Sequence, residues 1–139
     1  MTAIRYVAII LLAAGLLGGC ATPVDPMQAK QRQLQLERMQ TKVIDTRDRN
    51  ALLRGVITSF QDLNFVIANA DSVEGSVVAK KYGAYPIVMT VTVEPLSNTQ
   101  IKVRGIARHE AEVVEDPFLY EQFFSSLQSF IPPVGRTGP

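Results

Sequence analysis

Ile87-Val88-Met89-Thr90-Val91-Thr92-Val93-Glu94 decides the fold of this chain. Ile87, Met89, Val91 and Val93 alternate with Val88, Thr90, Thr92 and Glu94. A period of two, rich in β-branched residues, is the pattern of a strand that buries one face. Reading forward, Pro95-Leu96-Ser97-Asn98-Thr99 turns the chain. Gln100 to Ala111 then repeats the alternation, with Ile101, Val103, Gly105 and Ala107 against Lys102, Arg104, Ile106 and Arg108. One buried face and one wet face mark an antiparallel sheet. Reading backward, Ser76 to Tyr82 is a further strand, ended by Gly83 and Pro86. Asp71-Ser72-Val73-Glu74-Gly75 is a turn, and Phe65 to Ala70 is a short apolar strand.

Helical patterns flank this meander. From Asp48 the apolar residues fall at Leu52, Leu53, Val56, Ile57, Phe60 and Leu63, one face of a 3.6-residue period. Asp45-Thr46 supplies an N-cap, Asp48 a negative charge in the first turn, and Asn64 a residue that tolerates the left-handed cap. Asp116-Pro117 opens a second helix, with Asp as N-cap and Pro at the first helical position. Leu119, Tyr120, Phe123, Phe124, Leu127, Phe130 and Ile131 share its apolar face. Thr41 to Asp45, with Val43 and Ile44, is a candidate first strand. The order is (β)-α-β-β-β-β-α. Two helices with one apolar stripe each and a sheet with one apolar face satisfy one another in two layers. The expectation is therefore an α+β two-layer sandwich: an antiparallel sheet of four to five strands, both helices on one face, and Phe60 and Phe123 central to the core.

The N-terminal region reads differently. Arg5 precedes an apolar run, Tyr6 to Leu17, too short for a membrane span of about 20 residues. It ends in Leu17-Gly18-Gly19-Cys20, and Cys20 is the only cysteine. The four residues resemble the lipobox cut by the lipoprotein signal peptidase. The resemblance implies that residues 1–19 are a signal peptide, that Leu17, Gly18 and Gly19 are its recognition residues, and that Cys20 carries a diacylglycerol and an acylated amine. A lone thiol in an oxidising compartment otherwise has no partner. Ala21 stands where the inner-membrane retention signal of enteric bacteria is an aspartate. The resemblance thus implies the periplasmic face of the outer membrane, with the inner membrane as alternative.

Residues 20–40 read as a tether. Pro23 and Pro26 block a helix at its start, and a Gln-rich stretch follows whose residues allow a weak helix from Met27 to Met39. Residues 41–131 form the folded domain, and 132–139 a disordered tail. Removing the leader leaves 120 residues with 13 Lys+Arg and 13 Asp+Glu. That balance gives no reason to expect nucleic acid. Charge is nonetheless uneven. Lys30 to Arg54 is mostly basic, whereas Glu110, Glu112, Glu115, Asp116 and Glu121 form a stretch without Lys or Arg.

Met39-Gln40-Thr41-Lys42, Asp45-Thr46, Leu53, Gln61-Asp62-Leu63-Asn64-Phe65, Gly75 and Ala79-Lys80 resemble a group of small bacterial envelope lipoproteins. Those domains read Gln-Asp-Leu-Gly-Phe where this chain has Asn64. The element order is also similar to the helix-grip domains of the C subunit of the β-barrel assembly machinery, an outer-membrane lipoprotein. Neither resemblance transfers a catalytic residue, and fold alone carries no function.

Chemistry is sparse. His109 is the only histidine, and alternation places it opposite Glu110, so no metal site is expected. Ser125, Ser126 and Ser129 sit in no nucleophile elbow. Gly75 and Gly83 are turn glycines, and Lys80 and Lys81 face opposite ways. No cofactor and no enzymatic activity are expected. Tyr82, Tyr85, Tyr120, Phe123 and Phe124 are candidate walls of an apolar groove between the last helix and the sheet. The sequence points first to a non-enzymatic accessory subunit, membrane-anchored, that meets a protein partner in the envelope. The alternative is a carrier of a lipid or other apolar ligand in that groove.

Overall fold

The computed structural model describes Gly19 and residues 23–131. The leader read as a signal peptide, apart from Gly19, lies outside the described residues, as do the expected lipidation site Cys20 and the tail 132–139. In chain order the elements are α1 (Pro26–Gln40), β1 (Thr41–Ile44), α2 (Arg49–Asp62), β2 (Val66–Asp71), β3 (Ser76–Lys81), β4 (Ile87–Pro95), β5 (Ile101–His109), β6 (Glu112–Val113) and α3 (Pro117–Ser129). The strands form one antiparallel sheet in the order β1-β5-β4-β3-β2, with β6 also on β5. The chain divides into two compact units between Lys30 and Gln31; the sheet, α2 and α3 all belong to the second.

The two-layer α+β sandwich is what the alternation required. In β4 the residues Met89, Val91 and Val93 are fully buried, as are Val103 and Ala107 of β5 and Ala79 of β3. The register sets Ala79 beside Met89 and Met89 beside Ala107, so the three strands present one continuous apolar face. Leu52, Val56 and Phe60 of α2 and Tyr120, Phe123 and Leu127 of α3 close over that face. The Phe60 ring lies 5.2 Å from Phe123 and 5.3 Å from Phe65, both tilted. Tilted rings at this spacing add about 0.5–1.5 kcal/mol per pair to the burial itself. Both helices therefore sit on one side, with Phe60 and Phe123 at the centre.

Four local features differ from the sequence reading. The sheet has six strands, because the chain after His109 turns tightly through Glu110 (φ 54°) and pairs Glu112 with His109. A two-residue strand is too short to show alternation, and a glutamate in the left-handed region is not a turn signal. Helix α2 is capped by Asp48, whose carboxylate accepts from the Ala51 N–H at 2.8 Å, and not by Asp45-Thr46. Thr46 Oγ1 instead accepts from the Asp48 N–H at 3.2 Å. Pro26 opens a helix rather than blocking one. At the first helical position the missing N–H is not needed, and Asp25 accepts from the Met27 N–H at 3.0 Å as the cap. Helix α1 then reaches Gln40, which is buried, and Met39 packs against the core. Elsewhere the punctuation is as expected: Asn64 has φ 64°, and Asp116 caps α3 with Pro117 at its start.

Gly75 and Gly55 hold close approaches. Gly75 has φ 77°, and the guanidinium of Arg49 occupies the space its side chain would need. That guanidinium donates to the carbonyls of Ser72, Val73 and Val93, tying the start of α2 to the β2–β3 turn and to β4. Gly55 on α2 faces α3. A Cβ there would stand 3.1 Å from Leu127 Cδ1, so the helices meet at van der Waals contact. A leucine at this point forces them apart. Gly55→Leu should lower stability by about 1–3 kcal/mol, the usual cost of overpacking, read as a lower urea midpoint at unchanged m-value.

Candidate functional site

His109 and Ser129 both make local structural contacts. The His109 ring stacks on Tyr85 with centroids 3.8 Å apart. Its Nδ1 lies 2.7 Å from the Pro86 carbonyl, which can only accept, so Nδ1 carries the proton. The stack and the hydrogen bond tie the end of β5 to the β3–β4 loop. Ser129 Oγ donates to the Ser126 carbonyl at 2.6 Å within α3. Among the described residues, no group of three or more His, Cys, Asp or Glu is placed to hold a metal ion. Of the acidic stretch, Asp116 caps α3 and Glu115 accepts from Arg32 at 2.8–2.9 Å. Both partners of that pair are exposed, so it contributes little to stability.

A buried polar arrangement centres on the Tyr120 hydroxyl of α3. It donates to the Val114 carbonyl at 2.6 Å and accepts from the Ala107 N–H at 3.3 Å and from Gln40 Nε2 at 3.2 Å. The Val114 N–H donates back to the Ala107 carbonyl at 2.9 Å. One donor and two acceptor sites are all a phenol offers, and all three are used. Their placement follows from the sheet. On the edge of β5, β1 covers Ile101 to Arg104 and β6 covers Arg108 and His109. Ala107 falls in the gap, and the Tyr120–Val114 pair satisfies its backbone there.

A groove of about 430 Å³ lies beside this arrangement, between α3 and the junction of α1 with β1. Tyr120 and Phe124 supply aromatic surface, Met39 an apolar wall, and Arg38, Lys42 and Gln128 polar ones. Two of the five aromatics read from the sequence are thus brought together. Phe123 is not with them; it packs on Phe60 in the core. Tyr82 and Tyr85 belong to the β3–β4 loop and are 71% and 56% exposed. Of the lipobox, Gly19 is exposed and in no helix or strand, while Leu17, Gly18 and Cys20 lie outside the described residues.

The sequence reading missed Gln40, Arg32 and Arg49. Gln40 sits in a Gln-rich stretch, and the partner that gives it a role is 80 residues away. Compared with known proteins, the chain matches no family model and no curated sequence.

The hydroxyl network has a measurable weight. Tyr120→Phe keeps the ring but leaves the buried Ala107 N–H and Val114 carbonyl each short of a partner. At about 1–3 kcal/mol per unpaired buried group, the variant should lose roughly 2–6 kcal/mol in urea unfolding. An unchanged midpoint would mean that the network is not formed in solution.

Proposed function

We propose that this protein is a membrane-anchored lipoprotein of the bacterial periplasm, acting as a non-enzymatic accessory subunit of an envelope complex. One observation carries the reading: Leu17-Gly18-Gly19-Cys20 closes a short apolar leader with one positive charge and holds the chain's only cysteine. Two or three acyl chains on Cys20 give stable anchoring, at about 0.8 kcal/mol per buried methylene. Five residues lie between Cys20 and α1, and α1 has 15. At most ~3.5 Å per extended residue and ~1.5 Å per helical residue, the reach from Cys20 to the end of α1 is no more than about 40 Å. The folded domain stays near the bilayer that holds Cys20, so its partner does too. The outer membrane is favoured by Ala21, which is not the aspartate of inner-membrane retention.

The domain supports an interaction role over a catalytic one. Its histidine is stacked and hydrogen-bonded, and its buried tyrosine hydroxyl is saturated. The test is Cys20→Ser in cells fed labelled palmitate. The wild-type protein should carry label and fractionate with membranes; the variant should carry none and be released. A variant that stays unlabelled yet membrane-bound, or a wild type without label, overturns the reading.

A second reading, a carrier of an apolar ligand, draws on the groove lined by Tyr120 and Phe124. The interior between helices and sheet is occupied by Phe60, Phe123, Met89 and Leu127, so a ligand has the groove alone. Native mass spectrometry of the soluble domain from Thr22 onward should then show bound mass, lost in Phe124→Asp. A spectrum of bare protein sinks this second reading.

A further inference from the structure

We infer that the face of the sheet that carries no helix among the described residues docks a protein partner whose surface sets carboxylates around an apolar patch. This deepens the accessory-subunit reading and rests on it for the compartment. Alternation puts the core residues on one face and a second, different set on the other. Register brings Val66, Lys80, Val88 and Arg108 into one row across β2, β3, β4 and β5. The next row is Asn69, Val78, Thr90 and Ile106, and the one after it is Asp71, Ser76, Thr92 and Arg104, continued by Thr41 of β1. Val66 is 57% exposed and Val88 40%; Val78 and Ile106 are half-buried by their neighbours in the sheet. Both core helices lie on the opposite side. The result is a β-branched centre framed by Lys80, Arg104 and Arg108. Arg104 and Arg108 stand about 13 Å apart along β5, on either side of Ile106.

The carboxylates of this face are already engaged. Asp71 accepts from the Val73 and Glu74 N–H groups at 2.8 and 2.9 Å, and Glu94 pairs with Lys102 at 3.0 Å. Among the described residues Lys80, Arg104 and Arg108 have no carboxylate within 4.0 Å; Arg108 donates to the Ala111 carbonyl. Three uncompensated cations around an apolar centre call for a partner that is apolar in the middle and anionic at its edge. That is the anatomy of a protein interface, with charge depleted at the core and arginine enriched. A bilayer answers only half of it. A second copy answers it badly, because a two-fold contact of this face with itself opposes like charges.

The test uses the full-length chain in its native bacterium, with a benzophenone amino acid at Thr90 on this face or at the exposed Gln122 on α3. Ultraviolet light should give a protein adduct at Thr90 at about tenfold the yield at Gln122. Its crosslinked peptide should carry Asp or Glu beside apolar residues. Arg104→Glu with Arg108→Glu should cut the yield about tenfold, since like charges across an interface are strongly unfavourable. Arg104→Lys with Arg108→Lys should keep it within about twofold. Urea unfolding of each purified variant reports folding, and Arg104→Glu alone is read if the double reversal does not fold. Equal yields at Thr90 and Gln122, insensitivity to the reversal, an adduct with the mass of a lipid or of a second copy, or no adduct each overturns the inference. Palmitate label on Cys20 in the same cells separates the two failures: label without a Thr90 adduct rejects the docking face alone, and absent label rejects the lipoprotein reading.

Discussion

The Tyr120 hydroxyl is the point at which separate parts of this domain become one. Helix α3 could bury a phenylalanine there and satisfy its apolar stripe equally well. The sheet could not. Strands β1 and β6 cover different stretches of the same edge of β5 and leave Ala107 between them. A buried backbone group without a partner costs about as much as several methylenes gain, so the gap has to be filled. The phenol donates to Val114 and accepts from Ala107 and Gln40, and in doing so it sets the height of α3, the path of the β6–α3 connection and the end of α1. The groove lined by Tyr120 and Phe124 exists because that arrangement holds α3 beside the α1–β1 junction.

Periodicity made the layers legible. Ile87–Glu94 alternates because one face meets Phe60 and Phe123, and Leu52 to Phe60 repeats at helical spacing for the complementary reason. Local chemistry made several boundaries legible: Asn64 takes the left-handed conformation, and Asp116-Pro117 starts α3. The features that stayed hidden depend on partners distant in sequence. Tyr120 reads as one more apolar position, because its hydroxyl has no meaning until Gln40, Ala107 and Val114 surround it. Strand β6 is defined by pairing alone and has no pattern of its own. Asp45, Thr46 and Asp48 are all good caps, and only the observed start of α2 at Arg49 selects among them. The aromatic set divided for the same reason: residue type gave apolar surface, while burial of Phe123 and exposure of Tyr82 are decided by the fold.

The two faces of the sheet divide the labour of the domain. One is consumed by packing, with fully buried residues from β3, β4 and β5 under both helices. The other keeps its cations and part of its valine surface in water. A domain of this size spends most of its apolar side chains on its own core. Val66 and Val88 stay exposed outside it, in one row with Lys80 and Arg108.

The junction of α1 and β1 bears on how the chain assembles. Gln40 ends the helix and Thr41 begins the edge strand with no loop between, yet the groups that fix both lie far downstream: Tyr120 for Gln40, and Ile101 to Arg104 for β1. A chain delivered from its N-terminus exposes α1 and β1 first and must wait for about sixty residues before β5 arrives. Contacts of such long separation form slowly, and an unpaired strand invites pairing with other chains. Strand β1 is only four residues long and contains Lys42, both recognised ways of keeping an open edge from aggregating. The same brevity that makes β1 a modest contributor to the finished sheet keeps it harmless while it is alone.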